Sequence, residues 1–127
     1  MPRVFFFTTL ATFLGSASAL AADPPPLITA RLDYEAAQGC PPASLLRGEF
    51  ARRLGHDPFV EAAPLRVVVT IEREHGALMG SLKLYDSEGG LLWTRPTLPR
   101  TDCQAVVREM AGALAVRLDP LVYPDLG

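Results

Sequence analysis

The run "LRVVVTIEREHGALMGSLKLYDSEGGLLWTRPTL", Leu65 to Leu98, decides how this chain folds. Leu65, Val67, Val69 and Ile71 alternate with Arg66, Val68, Thr70 and Glu72, and Leu78, Gly80, Leu82 and Leu84 alternate with Met79, Ser81, Lys83 and Tyr85. A period of two marks strands with one buried face. Glu74-His75-Gly76 and Ser87-Glu88-Gly89-Gly90 fall between the runs, and glycine-containing loops of that length are hairpin connections. Leu91 to Leu98 then forms the third strand of a meander, with Pro96 fitting only an edge or a bulge because it cannot donate to a ladder.

Upstream, Ile28, Ala30, Leu32 and Tyr34 alternate with Thr29, Arg31, Asp33 and Glu35, which predicts a first strand. Gly39 and Pro41-Pro42 end it, and either proline suits the first turn of a helix. Leu46, Phe50 and Leu54 recur every four residues over Ala43 to Leu54, the pattern of an amphipathic helix, stopped by Gly55 and Asp57-Pro58. Downstream, "TDCQ" opens a second helix: Thr101 as N-cap and Gln104 three residues later make a capping-box pattern, with Asp102 adding favourable charge. Cys103, Val107, Met110, Leu114 and Leu118 form its apolar stripe, and Asp119-Pro120 closes it.

The expected fold is therefore an α+β domain over residues 28–119, in the order β-α-β-β-β-α. A four-stranded mixed sheet carries two helices on one face. A helix between the first two strands makes them parallel, and two hairpins return the fourth strand to the same direction. Cys40 and Cys103 each follow one of those parallel strands, so the topology brings the two thiols together. In an exported chain such a pair oxidises. Closing a loop of this length contributes about 4 kcal/mol in the loop-entropy model. The competing readings are a redox pair activated at helix N-termini, a zinc site with His56 or His75, and free thiols. No metal-ligand spacing connects those four residues, and redox pairs usually lie close in sequence.

Export is read from the first residues. Arg3 precedes an apolar run from Val4 to Leu14, followed by small residues with Ala19-Leu20-Ala21 in the cleavage pattern, so residues 1–21 read as a signal peptide. An uncleaved anchor competes, since Val4 to Ala22 is uncharged, but the apolar core is short for a span. Residues 22–27, with Pro24-Pro25-Pro26, form an extended leader, and residues 120–127 a C-terminal tail. Cleavage leaves about 106 of the 127 residues, one small domain. No later apolar stretch has the length of a bilayer span.

Of the whole chain, 12 residues are Lys or Arg and 14 are Asp or Glu; without Arg3 the balance is 11 to 14. That weak acidity argues against nucleic acid as a partner. No phosphate loop, G-x-S-x-G, H-E-x-x-H or EF-hand pattern occurs, and no cofactor or metal is expected. His56 reads as a polar residue at a helix stop, and His75 in a turn and the pair Glu72 and Glu74 at a strand end read as solvated positions. Trp93 and Arg95 are the candidate partner contacts: an aromatic anchor, or packing for the sheet, beside an edge able to accept a strand.

"GCPPASLLRGEFARRLGHDPF", the meander, "TDC" and a final helix ending "LDP" resemble a group of secreted bacterial proteins of unassigned function. In that group "CP" precedes the first helix, "R-x-G-x-D-P-F" follows it, and a second cysteine precedes the last helix. Similar chains often continue into a membrane segment or another domain. The resemblance covers Tyr34 to Pro120 and implies export and a cysteine pair at Cys40 and Cys103, with no reaction attached. The element order is also similar to the amino-terminal domain of the periplasmic protein TolB, a partner-binding module. The function these readings favour is a non-enzymatic binding or scaffold module, periplasmic or extracellular, whose partner is another envelope or secreted protein. A small envelope enzyme with a site scattered in sequence, and a secreted enzyme inhibitor, are the alternatives.

Overall fold

The computed structural model describes residues 27–119. Residues 1–21, read as a signal peptide, residues 22–26 of the expected leader and the expected tail, 120–127, lie outside the described residues. The elements are β1 (Ala30–Ala36), α1 (Ala43–Leu54), β2 (Leu65–Glu74), β3 (Ala77–Tyr85), β4 (Leu91–Pro96) and α2 (Cys103–Arg117). They form one four-stranded sheet in the order β1-β2-β3-β4, with β1 and β2 parallel and the other pairs antiparallel.

Alternation sets the two faces of this sheet. Ala30, Val67, Val69, Ile71, Leu78, Leu82 and Leu84 are buried beneath α1 and α2 with Leu46, Phe50, Val106, Val107, Met110 and Leu114. The opposite face carries Arg31, Asp33 and Glu35 of β1, Arg66, Val68, Thr70 and Glu72 of β2, and Met79, Ser81, Lys83 and Tyr85 of β3. Across it Arg66 donates from Nε to Asp33 Oδ2 at 2.6 Å and lies 5.6 Å from the Tyr85 ring centroid. The half-apolar alternation read in the sequence is thus the two-layer arrangement itself.

The turns follow their residue chemistry. His75 and Gly76 both adopt positive φ, 50° and 80°, and link Glu74 to its cross-strand partner Ala77, as a two-residue hairpin requires. In the second hairpin the Asp86 carboxylate accepts from the N–H groups of Glu88 and Gly90. A register irregularity follows at Leu84/Tyr85, which shifts the start of β4.

Four boundaries differ from the sequence reading, the first being the end of β4 at Pro96 rather than Leu98. β1 begins at Ala30 rather than Ile28. Ala30 pairs outward: its N–H donates to the Pro58 carbonyl and its carbonyl accepts from Val60 N–H, a short parallel bridge to Phe59 that alternation alone does not announce. Pro42 caps α1 from an extended conformation (φ −71°, ψ 165°) instead of opening its first turn, so Pro41 and Pro42 both precede the helix. Asp102, not Thr101, is the N-cap of α2: its side chain accepts from Gln104 N–H at 3.1 Å. Gln104 then falls one position short of the capping box, and aspartate outranks threonine as a cap.

β3 and α2 are in close contact at Gly80. A Cβ there would stand 2.9 Å from Val106 Cγ1, 3.0 Å from Thr97 Oγ1, and closer still to Met110 Cε. Thr97, just past the end of β4, is buried and closes this region, its Oγ1 accepting from Gly80 N–H at 2.8 Å while its own N–H donates to the Gly80 carbonyl.

Candidate functional site

Cys40 and Cys103 are joined in a disulfide, with Cα atoms 5.3 Å apart. Cys40 lies just beyond β1 and Cys103 is the first residue of α2, so the bond ties the sheet's first strand to the last helix. This is the oxidised pair that the topology predicts, and it takes both sulfurs out of any redox or zinc role in the oxidised protein. Among the described residues no group of three His, Cys, Asp or Glu side chains is placed to hold a metal. His75 sits exposed in its turn, and Glu72 and Glu74 are exposed at the end of β2. His56 follows the left-handed C-cap Gly55 and is half-buried.

The structure instead presents two sheet edges. In a parallel ladder successive residues of an edge strand point their main-chain groups alternately toward the neighbour and away. Ala37 N–H donates inward to the Ile71 carbonyl, while Ala30 bonds outward to residues 58–60. Even-numbered residues of β1 therefore face out, and beyond the Phe59 bridge the main-chain groups of Leu32, Tyr34 and Ala36 have no strand beside them among the described residues.

A groove of about 600 Å³ runs along this edge, lined by β1 from Arg31 to Tyr34, by Ala43 and Arg47 of α1, and by Phe59 to Glu61. Its outer wall is built by the "GHDPF" stretch. Gly55 turns the chain out of α1 at φ 84°. Asp57 Oδ1 accepts from Phe59 N–H, and its Oδ2 accepts from Arg47 Nε at 3.0 Å. Arg47 also donates to the Phe59 carbonyl at 3.2 Å. Phe59 turns inward, edge-on to Phe50 with ring centroids 5.1 Å apart. At the far end the Tyr34 hydroxyl donates to the Pro41 carbonyl at 2.7 Å, and burial pushes its phenol above the ordinary value of 10.

Such a site offers main-chain donors and acceptors in an extended row, an apolar floor of Leu32, Ala43 and Phe59, and the exposed charges Arg31 and Glu61 at its rim. It suits an extended peptide. Sequence reasoning did not find it, because Leu32 and Tyr34 belong to an ordinary alternating strand. The usable signal was the "D-P-F" that supplies the wall.

The candidate contacts Trp93 and Arg95 lie together on the second edge. Trp93 pairs with Leu84 and Arg95 with Leu82, so both point to the helix-covered side. Trp93 is half-buried against the core, whereas Arg95 is exposed and has no ion-pair or hydrogen-bond partner among the described residues. Leu91, Leu92 and Leu98 around them are 53%, 43% and 65% exposed.

No helix among the described residues is long and apolar enough to cross a membrane. No family model matches the chain, and no curated protein matches it. Among solved structures the chain is similar to TolB from Acinetobacter baumannii, with a TM-score of 0.46 and 12% sequence identity. The match covers 72% of this chain and 27% of that one, so the chain spans about a quarter of that protein's length. The similarity is one of element order alone, and it assigns the chain to no family.

Proposed function

We propose that this is an exported, non-enzymatic binding module of the periplasm or extracellular space, which takes an extended segment of another exported protein onto the free edge of β1. The observation that supports it is the coincidence of main-chain groups at Leu32 and Tyr34, unpaired among the described residues, with a groove whose wall is held by Arg47, Asp57 and Phe59. Strand addition draws affinity from main-chain hydrogen bonds and specificity from pockets for alternate side chains. Here the inward side chain of the guest meets Leu32, Ala43 and Phe59. Export agrees with the leader and with the disulfide, which is characteristic of oxidising compartments. Trp93 and Arg95 remain contact residues of the second edge.

The test uses peptides selected for binding to the exported, oxidised protein. Backbone amide shifts on binding should concentrate at Leu32, Tyr34 and Ala36. Ala43→Trp fills the groove and Ala36→Pro removes one outward donor at little structural cost, because proline is tolerated at an edge. Both should abolish binding. Peptides that bind either variant undiminished, or that shift amides elsewhere, would overturn the assignment. Intact mass with and without reduction tests export: the chain should begin near Ala22 and gain two hydrogens only on reduction.

A further inference from the structure

The β4 edge carries complementarity to itself. Thr97 N–H donates inward to the Gly80 carbonyl, so by alternation Thr94 and Pro96 present their main-chain groups outward, while Leu92 falls in the register irregularity at the start of β4. We propose that β4 pairs antiparallel with β4 of a second copy about a twofold axis at Thr94, joining the two sheets into one of eight strands. This rests on the reading of Trp93 and Arg95 as contact residues and names their partner.

Register decides the argument. Centred on Thr94, the two threonines exchange both main-chain hydrogen bonds, and Leu92 lies opposite Pro96 of the other copy. Pro96 has no N–H to offer, and an axis at Thr94 needs none from it. Trp93 then stands opposite Arg95 of the other copy in a non-hydrogen-bonded pair, the kind in which side chains come closest. A guanidinium with no anionic partner among the described residues is placed at an indole face, twice by symmetry. Leu92 meets Pro96 on the opposite side, covering part of the exposed apolar surface of this edge. Shifting the axis to Arg95 would set arginine against arginine, and shifting it to Trp93 would leave Arg95 facing Leu91.

The β1 edge has the opposite character. Residues 58–60 already occupy the outward groups of Ala30, so a second β1 could centre only on Tyr34 or Glu35. The first places Asp33 opposite Glu35 and the second Glu35 opposite Glu35. Like charges directly opposite destabilise a pair, so β1 refuses its own copy while β4 accepts it.

Sedimentation of the exported, oxidised protein over a range of concentrations tests this. We expect a monomer–dimer equilibrium, weakened about tenfold or more by Arg95→Glu and lost in Thr94→Pro, whose proline costs no internal ladder bond. Threonine pairs at the axis stand about 5.5 Å apart between Cα atoms, within disulfide reach. Thr94→Cys should therefore form a reducible covalent dimer, and Leu92→Cys should not. A protein that stays monomeric at its highest soluble concentration would overturn the proposal. So would association unchanged in both Arg95→Glu and Thr94→Pro, or linking through Leu92→Cys alone. Peptide uptake at β1, measured on Arg95→Glu monomers, reports on the groove independently, so failure of one leaves the other standing.

Discussion

Adding one methyl group at Gly80 probes a tight contact between sheet and helix. Alanine is the better strand residue by about 0.5–1 kcal/mol, because glycine loses more conformational freedom on folding. Against that gain stands the packing. The new Cβ falls 2.9 Å from Val106 Cγ1 and 3.0 Å from Thr97 Oγ1, and closer to Met110 Cε. The end of Met110 can swing aside, since thioether side chains adapt. Val106 is held near a single χ1 rotamer by its helix, and Thr97 Oγ1 cannot retreat without loosening its bond from Gly80 N–H. Overpacking of a tight core costs about 1–3 kcal/mol, so Gly80→Ala should destabilise by about 1–2 kcal/mol after the strand gain is subtracted. For a domain of this size that lowers the melting temperature by about 5–15 °C. A double-mutant cycle with Met110→Ala, read by urea denaturation, isolates the contact. Met110→Ala alone should cost about 2–5 kcal/mol. In the Gly80→Ala background the new methyl occupies part of the vacated space, so the double variant should be more stable than the sum of singles by about 1 kcal/mol or more. Gly80→Ala as stable as the parent, or strict additivity in the cycle, would refute the reasoning.

Two further outcomes are expected. Replacing Cys40 and Cys103 by alanine opens a loop spanning 63 residues and should lower stability by about 4 kcal/mol, measured by urea denaturation; a loss under about 1 kcal/mol would contradict the loop-entropy account. Tyr34 should make the domain sensitive to alkali. Burial raises its folded pKa above 10, so the native state holds the proton more tightly than the unfolded state. Its contribution is complete below pH 10 and declines as pH rises through the higher folded value. Tyr34→Phe should cost about 1 kcal/mol at neutral pH through the lost bond to the Pro41 carbonyl, and should flatten the alkaline decline; a decline of equal slope in the variant would assign it to other groups.

Alternation from Leu65 to Leu84 carried the meander, because strands covered on one face alone must place an apolar residue at every second position. The helix spacing of Leu46 and Phe50, and the cysteines beyond two parallel strands, carried the rest of the topology and the disulfide. What alternation could not show is which strand edge stays free. That depends on Ala30 meeting the Phe59 segment, a contact fixed by the Asp57 turn and Arg47 rather than by any periodic pattern. The identity of the α2 cap turned on a single residue step between Thr101 and Asp102, below the resolution of propensity reasoning. Trp93 was legible as an aromatic on an edge strand. Its lean toward the core follows from its register opposite Leu84, beyond the irregularity that the second hairpin introduces.

The placement of the disulfide has a consequence for life among proteases. Its two ends bracket α1, the whole meander and both hairpin loops, leaving only β1 and α2 outside the covalent ring. A single cut at the exposed tip around Glu88 would separate β1 to β3 from β4 and α2 along the main chain. The pieces would still be one molecule, with β4 and α2 held at high local concentration beside the sheet they came from. Such a clipped domain would refold as a unimolecular event and run as one species until reduced. A domain built this way would keep both edges after one nick in this exposed loop.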